Sequence, residues 1–350
     1  MEKKNLYNQY KLLKHLDRLV DFEKRGVVYP IFVDLNLTNV CNNKCPLCVS
    51  SESRDRTTIS FEDAKDIIQQ LKEVDVKAIG LGGGGDPTCH PNLEEIVRFI
   101  KDKDMEVAVC TNGYKLSEGT IDAIVNCCSW MRISLDADGP EIYKKTHGMR
   151  AEAFSKVVGN MSKLIKKRKE IKSEIIIGAT YLIGQHTLPG IYNAAKLCKD
   201  MGIDYIRFRP FFNWKINNRL KEKSAKVLLD KLERCKELES ENFSVSYPED
   251  RCKSIVKEKK RDYKKCYVPH LITAITADLR IYPCCVLRNN EKYCLGDLKE
   301  KSFKEIWQSE RRKKVHKIID LKDCPNPCQY EKHNEILNAV MSEIAHSNFL

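Results

Sequence analysis

The sequence has 350 residues, which is enough for one large domain and a second, smaller one. Hydrophobic residues make up 42% and charged residues 31%, as is typical of a soluble globular protein, and this composition excludes a disordered or fibrous chain. No apolar run approaches the roughly 18 residues that span a bilayer, and the first residues lack the apolar core of a signal peptide. We therefore expect a cytoplasmic protein with no membrane partner.

The formal net charge is +12, and the lysines are spread over segments with helical spacing, such as residues 163–170. Charge runs of this kind are typical of solvated helix faces. Because no recognised nucleic-acid motif accompanies them, we expect no nucleic-acid partner. The 16 cysteines are many for a cytosolic chain, where disulfides are disfavoured, so clustered cysteines indicate metal ligation or catalysis.

The N-terminal segment, residues 1–29, is predicted to be helical, with Gly26 marking its end. Its apolar stripe at helical spacing consists of Leu6, Tyr10, Leu13, Leu16 and Val20.

Between residues 31 and about 210, apolar strand patterns alternate with amphipathic helix patterns. The predicted strands are 31–37, 78–81, 106–110, 130–135, 174–182 and 205–208, and the predicted helices are 60–72, 92–103, 117–126, 140–145, 151–168 and 189–201. This alternation predicts a parallel α/β sheet, whose functional groups collect at the carboxyl ends of the strands. Residues 213–262 are predicted to be a charged helical linker, and residues 263–350 a second module.

Three cysteines follow the first predicted strand within eight residues: Cys41, Cys45 and Cys48. Three thiolates can hold three irons of a cubane [4Fe–4S] cluster, which leaves the fourth iron open to a non-protein ligand. A zinc site is the alternative. Structural zinc usually has four protein ligands, and no fourth Cys or His lies near this loop.

Further motifs lie at the ends of the next strands. The second strand leads into residues 82–87 (Gly-Gly-Gly-Gly-Asp-Pro), the third into 111–113 (Thr-Asn-Gly), and the fourth into 134–136 (Ser-Leu-Asp) and later 143–148. A glycine run lets the backbone approach a ligand closely, and an Asn-Gly pair is also a common turn. Their positions at successive strand ends predict one shared site.

The cysteine spacing and these motifs, in this order, resemble the radical S-adenosylmethionine (SAM) superfamily. The resemblance implies a partial (β/α)6 TIM-like barrel in which Cys41, Cys45 and Cys48 hold a [4Fe–4S] cluster whose open iron is chelated by SAM. It implies SAM-binding roles for Gly83, Gly84, Gly85, Asp86, Asn112, Ser134, Asp136 and Ile183. Asp86 stands where the family usually has Glu, so its contact with the SAM amino group could come from the backbone alone.

The last third of the sequence holds a second group of cysteines: Cys266, Cys284, Cys285, Cys294, Cys324 and Cys328. Residues 271–284 are predicted to form a β-hairpin that ends in a cysteine, and Ser302 with Glu305 predicts a helix capping box. This order resembles the SPASM/twitch auxiliary-cluster extension of radical SAM enzymes. Leu279 replaces the hairpin Gly of that extension and Asp297 replaces an Asn, so we expect the hairpin turn to differ in detail.

Cys266, Cys284, Cys324 and Cys328 make one complete set of four thiolates, so we expect a single, fully ligated auxiliary [4Fe–4S] cluster rather than two. Cys285 is the alternative to Cys284, because adjacent cysteines cannot easily serve one cluster. A structural zinc on the same thiolates, or a cluster with an open iron that binds substrate, are further alternatives.

The resemblance implies that an electron from a reductant such as flavodoxin or ferredoxin cleaves SAM to methionine and a 5′-deoxyadenosyl radical, which abstracts a hydrogen atom from the substrate. An auxiliary cluster offers an electron acceptor and so favours oxidation, whereas epimerisation needs a hydrogen donor such as the thiol of Cys89 or Cys110. Arg207 and Arg209, at the end of the sixth strand, are suited to bind a carboxylate or a phosphate. Surface ion pairing is the alternative role for these arginines.

Two substrate classes compete. A small molecule, such as a sugar or an aminocyclitol, is the expected substrate, because the N-terminal segment is too short for a peptide-recognition domain and a single auxiliary cluster is predicted. The first alternative is a peptide or protein side chain, which a SPASM maturase would crosslink, epimerise or oxidise. The second alternative is a non-catalytic iron–sulfur protein.

Overall fold

The computed structural model describes residues 8–50, 55–210, 222–249, 252 and 261–342. Its strands are β1 Phe32–Leu35, β2 Ala78–Leu81, β3 Glu106–Thr111, β4 Trp130–Ser134, β5 Ile176–Ile183, β6 Tyr205–Pro210, β7 Ser244–Ser246, β8 Ile272–Ile275, β9 Arg280–Tyr282 and β10 Gly296–Asp297. Its α-helices are α1 Leu16–Arg25, α2 Phe61–Glu73, α3 Leu93–Asp102, α4 Glu118–Cys127, α5 Pro140–His147, α6 Ala153–Glu170, α7 Ile191–Met201, α8 Glu222–Lys236, α9 Phe303–Gln308, α10 Glu310–Ile318 and α11 Glu331–Val340.

The described strands form one sheet in the order β10-β9-β8-β1-β2-β3-β4-β5-β6-β7. Neighbouring strands from β8 through β1 to β7 run parallel, whereas β9 is antiparallel to both of its neighbours, β8 and β10. The predicted α/β class, the six strands and the helices between them are confirmed. The sheet is wider than the prediction, however, because β7 joins one side and the hairpin of the second module joins the other.

The second module is continuous with the barrel. β8 pairs with β1 from Phe32↔Ile272 to Leu35↔Ile275, so the predicted hairpin extends the same sheet. The indole Nε1 of Trp307 is fully buried and donates to the carbonyl of Val28 at 2.7 Å. The predicted capping box of Ser302 and Glu305 begins the helix that carries this indole.

Leu279 in the hairpin turn adopts a backbone conformation that is usual for glycine. Leu279 has φ of 71°, in the left-handed region that costs a non-glycine residue roughly 1–2 kcal/mol. The Leu279 side chain is buried in the hydrophobic core, and this burial offsets the backbone cost. The expectation that this turn differs in detail from that of the SPASM/twitch extension stays a prediction.

The predicted apolar stripe of the N-terminal segment faces solvent. Leu6 lies outside the described residues, and the other four stripe residues are exposed: Tyr10, Leu13, Leu16 and Val20. The buried apolar side chains of these two helices are Leu12, Leu19 and Phe22. Residues 9–15 form a 3-10 helix, with three residues per turn, and α1 follows it, so a single α-helical spacing does not run through the whole segment.

The predicted linker, residues 213–262, is described at residues 222–249, 252 and 261–262. Its described part holds α8 and the short strand β7, which pairs in parallel with β6 from Tyr205↔Ser244 to Arg207↔Ser246. This part of the chain therefore belongs to the barrel sheet rather than to a separate connection.

The strands of the barrel present two different faces. Outward-facing residues such as Val33, Leu35 and Ile79 are fully buried. Asp34 on β1 and Arg132 on β4 interact electrostatically, although β2 and β3 separate their strands in the sheet. This interaction places both side chains inside the curve of the sheet. We call the space lined by the half-buried inward residues of β1 to β6 the chamber.

Candidate active site

The three cysteines Cys41, Cys45 and Cys48 lie in the loop between β1 and α2, at the carboxyl end of β1. All three are free thiols, and Cys41 is exposed. Two N–H groups point at the Cys41 sulfur, the backbone of Asn43 at 3.4 Å and the side chain of Asn112 at 3.8 Å. A sulfur that accepts N–H donors is the environment that stabilises a cluster-bound thiolate.

The segment 143–148 is hydrogen-bonded to the cysteine loop. His147 stacks on Tyr143 with ring centroids 3.9 Å apart, and its Nε2 bonds to the carbonyl of Ser134 at 3.1 Å. The backbone N–H of Lys44 donates to the carbonyl of His147 at 3.1 Å. Burial lowers the pKa of His147 to about 4, so the imidazole is neutral at physiological pH and acts as a packing and hydrogen-bonding group.

The glycine loop after β2 lies directly against the cysteine loop. The backbone N–H of Gly85 donates to the carbonyl of Thr38 at 2.7 Å, and that of Asp86 to the carbonyl of Val40 at 2.9 Å. A Cβ on Gly85 would overlap the Val40 carbonyl, and Gly84, with φ of 59°, would place one 2.6 Å from Asn39 Oδ1. Only glycine therefore allows the two loops to meet at this distance.

Replacing Gly85 with alanine should push the two loops apart and weaken SAM binding at least about tenfold, because supporting contacts of a cofactor site typically contribute 10–100-fold. Binding of SAM to the anaerobic protein, measured by equilibrium dialysis, tests this. Gly159→Ala in α6 is the matched control, since its Cβ would meet nothing within 4 Å. Equal SAM affinity in the two variants would show that the tight approach is unnecessary.

Asp86 joins the glycine loop to the next motif. Its buried carboxylate accepts hydrogen bonds from the Thr88 N–H at 3.0 Å, the Thr88 hydroxyl at 2.6 Å, the Thr111 hydroxyl at 2.8 Å and the Asn112 N–H at 2.7 Å. These donors occupy both carboxylate oxygens. The structure therefore places Asp86 as a link between the ends of β2 and β3.

A buried oxygen next to the glycine loop has no hydrogen-bond partner. Asn36 is 1% exposed, and its Oδ1 lies against Gly83 without a donor. Leaving a buried amide oxygen unpaired costs roughly 1–3 kcal/mol, so this atom is poised to accept from a bound molecule. Together with the N–H groups at Cys41 and the glycine cradle, it shows that these residues fit a cluster with SAM bound beside it.

The chamber brings together residues from several strands. Arg132 shares its face with Cys110, since the two are Cα partners between β4 and β3, and Arg209 is the partner of Leu182 between β6 and β5. Cys110 interacts electrostatically with Arg132, Asp34 and Arg209. Burial raises the pKa of this thiol, which favours its protonated form.

Asp136 lies at the edge of the chamber, with a strained backbone. Its φ is 43°, its side chain is buried, and its Oδ1 accepts from the Leu182 N–H at 2.6 Å. Burial raises its pKa to about 6, against the effect of Arg209 and Arg132. Ser134, two residues earlier, is the Cα partner of Thr180 and is half-buried on the inward face.

Two predicted residues lie elsewhere. The Cys89 sulfur is 3.6 Å from Asn42 Oδ1, so it belongs to the cysteine loop rather than to the chamber. Ile183 is 1% exposed in the hydrophobic core, on the face opposite Leu182 and Arg209. Leu182 is the residue of that strand end with the inward orientation, and the adenine contact of Ile183 stays a prediction.

The sequence analysis missed Asp34 and Arg132. Each is a single charged residue in an otherwise apolar strand, Phe-Val-Asp-Leu in β1 and Trp-Met-Arg-Ile-Ser in β4. A charge at one alternating position of a buried strand is the signal that would have found them. Arg288, from the loop after β9, gave no such signal.

Three cysteines of the second module lie together. Cys266 and Cys324 both interact electrostatically with Cys328, and burial together with the neighbouring thiols raises the pKa of each. Arg261 holds the loop that carries Cys324, donating to the carbonyls of Cys324, at 3.2 Å, and of Leu321 and Pro325. The Cys328 N–H donates to Glu331 at 3.2 Å.

Cys284 and Cys285 both lie near Cys328 but face different surroundings. Cys284 is buried, and its sulfur accepts from the backbone of Leu287 and Val286. Cys285 accepts from Gln329 Nε2 at 2.9 Å, lies 3.8 Å from the Tyr330 hydroxyl, and interacts electrostatically with Asp34 of the chamber. The backbone donors favour Cys284 as the cluster ligand, with Cys285 between the cluster site and the chamber.

Among the described residues, no group of three or more His, Cys, Asp or Glu side chains is placed to hold a single metal ion. Each thiolate of a cubane cluster binds a different iron, so the sulfurs around a cluster stand farther apart than the ligands of one ion. The proximity of Cys328 to Cys266, Cys324 and Cys284 is the observation that fits the auxiliary cluster.

Cys294 lies apart from this group, with its sulfur 3.6 Å from the Gly296 carbonyl. Replacing Cys324 with alanine should therefore remove about four irons per chain, whereas Cys294→Ala should remove none. Iron and sulfide counts after anaerobic reconstitution measure this. Equal iron loss in both variants would contradict the ligand set.

Two family models match the chain. The radical SAM superfamily model matches residues 35–186, and the SPASM model, described as an iron–sulfur cluster-binding domain, matches residues 266–330. These ranges contain the two cysteine groups described above. They imply a SAM-binding [4Fe–4S] cluster, SAM and auxiliary iron–sulfur clusters, as the sequence analysis expects.

Curated relatives match part of the chain. Mycofactocin maturase MftC of Mycobacterium ulcerans is 30% identical over 140 residues, 39% of this chain and 38% of the relative. A probable GTP 3′,8-cyclase of Saccharolobus islandicus is 27% identical over 179 residues, 49% of this chain and 54% of the relative. The matched regions thus span between about a third and about a half of these relatives.

The fold has solved counterparts. Streptococcus suis SuiB bound to its precursor peptide SuiA superposes with a TM-score of 0.63 over 88% of this chain and 72% of SuiB, at 17% sequence identity. No helix among the described residues is long and apolar enough to cross a membrane. The two matched domains each contain one of the cysteine sites, and the fold agrees with them. The chain therefore belongs to the radical SAM superfamily and carries a SPASM iron–sulfur domain.

Proposed function

We propose that this chain is a radical SAM enzyme that modifies a peptide or protein side chain. When bound, the first cluster and SAM supply the chemistry: one electron cleaves SAM to methionine and a 5′-deoxyadenosyl radical, which takes a hydrogen atom from the substrate to give 5′-deoxyadenosine. Cys41, Cys45 and Cys48 would hold that cluster. The backbone of Gly83–Asp86 and the Asn36 amide would bind and orient SAM.

One observation carries this proposal: Arg288 of the auxiliary module contacts the cysteine loop and interacts with Asp34 of the chamber. Arg288, from the auxiliary module, donates to the Ser50 hydroxyl of the cysteine loop at 2.7 Å, and its guanidinium lies against Gly83. Arg288 also interacts electrostatically with Asp34 and Cys285. A substrate in the chamber would therefore lie between the SAM site and the auxiliary site, as an oxidation with an electron acceptor requires.

The relatives favour a peptide over the small molecule that the sequence analysis expects. MftC is named a maturase, and SuiB is described with a bound precursor peptide. The probable GTP 3′,8-cyclase is the observation that keeps a small-molecule substrate as a second candidate.

A deuterium-transfer experiment tests the substrate class. Cells of the source organism grown in heavy water supply a deuterated peptide fraction and a deuterated small-metabolite fraction. Each fraction is incubated anaerobically with the reconstituted enzyme, unlabelled SAM and dithionite, and the 5′-deoxyadenosine is analysed by mass spectrometry. We expect deuterium in the 5′-deoxyadenosine from the peptide fraction. Deuterium only from the metabolite fraction, or from deuterated GTP added alone, would overturn the peptide assignment.

A further inference from the structure

Arg261 lies beside the cysteines of the second module. Its guanidinium donates to the carbonyl of Cys324 at 3.2 Å and to the carbonyls of Leu321 and Pro325, so it spans the loop that carries this proposed ligand. It also interacts electrostatically with the thiols of Cys266 and Cys324. Arg261 therefore places a positive charge next to two of the four proposed ligands of the auxiliary cluster.

One donor of this guanidinium has no acceptor. The two Nη atoms of Arg261 bond to carbonyls of the loop, whereas its Nε is buried and makes no hydrogen bond among the described residues. A buried donor without an acceptor is costly, and the sulfurs of an iron–sulfur cluster accept hydrogen bonds from protein N–H groups. A cluster sulfur beside Cys266 and Cys324 is the acceptor that fits this N–H group.

Negative groups also lie near this site. Burial and a neighbouring thiol raise the pKa of the Cys324 thiol. Arg261 lowers that pKa, and its effect is larger than the opposite effect of Asp323 or of Asp320. Asp323 is 39% exposed, so solvent screens its charge, and Glu331 accepts a backbone N–H at 3.2 Å. Apart from the cysteines, Arg261 is therefore the charged side chain with the largest effect on Cys324.

We propose that Arg261 donates its Nε–H to a sulfur of the auxiliary cluster and raises the reduction potential of that cluster. Reduction makes a cluster more negative, so a hydrogen bond and a positive charge beside it stabilise the reduced form. Because Arg261 acts through the cluster, it is a positioning residue rather than a catalytic one.

This inference rests on the proposed function, in which the auxiliary site receives an electron. In that oxidation the substrate radical transfers one electron to the auxiliary cluster and one proton to water, and a one-electron carrier protein later removes the electron from the cluster. A higher potential of the cluster favours the first of these transfers. Arg261 would thus direct the substrate radical towards oxidation.

A redox titration tests the inference without substrate and without SAM cleavage. The full-length Cys45→Ala protein serves as the parent, so that the auxiliary cluster is the one reduced, and an iron count of about four per chain checks its loading. The potential is read from the electron paramagnetic resonance signal of the reduced cluster. Arg261→Gln and Arg261→Lys are compared with Arg311→Gln in this parent. Arg311 is the matched control, because it also donates to backbone carbonyls of the second module, those of Cys294 and Glu291, but lies beside a cysteine outside the group.

We expect Arg261→Gln to weaken the affinity of the cluster for an electron at least about tenfold, which lowers its potential by about 59 mV or more. Arg261→Lys keeps the charge but lacks the Nε–H and the planar fork, so its decrease should be smaller. Arg311→Gln should leave the potential unchanged. When the arginine nitrogens of the parent are isotopically labelled, electron–nuclear double resonance should detect a nitrogen coupling to the reduced cluster that Arg261→Lys abolishes.

An Arg261→Gln protein with a loaded cluster and the potential of the parent would overturn the inference. If Arg261→Gln loses its cluster, Arg261→Lys takes its place, and the parent potential in that variant would be equally contrary. Absence of the arginine nitrogen coupling in the parent would contradict the hydrogen bond. These outcomes are separate from the deuterium-transfer experiment, because the titration contains no substrate.

Discussion

Replacing Cys45 with alanine should lower the iron content by about four per chain and reduce 5′-deoxyadenosine formation by at least about a hundredfold. The variant keeps two thiolates on the loop, Cys41 and Cys48, which are too few to hold a cluster with a single open iron. Replacing a residue that only contacts a metal ligand typically lowers metal affinity or activity about 10–100-fold. Replacing a ligand itself should therefore lower the activity at least as much. Iron and sulfide counts and the nucleoside assay, both without oxygen, measure the two effects.

The matched control is Cys127→Ser, which changes a half-buried thiol on α4 outside both cysteine groups. It should keep its iron and its activity. The auxiliary cluster should survive in Cys45→Ala, because its proposed ligands lie more than 200 positions further along the chain. A Cys45→Ala protein with full iron and wild-type product formation would contradict the assignment of this loop.

Replacing Asp86 with alanine should destabilise the protein by roughly 3–5 kcal/mol. The change leaves the N–H groups of Thr88 and Asn112 and the Thr111 hydroxyl buried without their acceptor. Because Asn112 also donates to the Cys41 sulfur, the loss should reach the cysteine loop and weaken SAM binding. Chemical denaturation measures the stability, and dialysis against SAM measures the binding.

Asp86 variants also separate two roles for this residue. If Asp86 links β2 to β3, Asp86→Ala should lose stability and SAM affinity together, whereas Asp66→Ala on the exposed face of α2 should lose neither. If the carboxylate instead contacts the SAM amino group, Asp86→Ala would lose SAM affinity with unchanged stability. The second pattern would contradict the hydrogen-bond arrangement described here.

Local patterns were sufficient for the elements of the barrel but not for its edges. β1 to β6 and the intervening helices follow from alternation and helical spacing over segments of ordinary length. β7 has three residues in a charged stretch, too short for a periodic signal. The pairing of β8 with β1 joins residues about 240 positions apart, and no local pattern reports such a contact.

Periodicity did not indicate which side chains of two elements face inward. The stripe residues Tyr10, Leu13, Leu16 and Val20 are exposed, and residues 9–15 form a 3-10 helix rather than an α-helix. In β5, Leu182 and not Ile183 has the inward orientation, because neighbouring residues of a strand point to opposite faces of the sheet.

The sequence was sufficient to predict which residue types form the site, but not which residues they contact. The sequence indicates that residues 82–87 approach a ligand, and the structure adds that the glycines dock on Thr38 and Val40 while Asp86 turns toward Thr111 and Asn112. Arg288 joins the auxiliary module to the cysteine loop through Ser50, across 238 positions. Contacts of this kind depend on the assembled fold, so sequence patterns do not report them.

Formation of 5′-deoxyadenosine by the wild-type protein is the first measurement to make. The protein, reconstituted with iron and sulfide without oxygen, is incubated with SAM and dithionite, and the nucleoside is quantified against the Cys45→Ala variant. Radical SAM chemistry at the Cys41–Cys48 loop predicts product from the wild type and none above background from the variant. A wild-type protein with both clusters loaded that binds SAM but forms no more 5′-deoxyadenosine than the variant would contradict the enzymatic function.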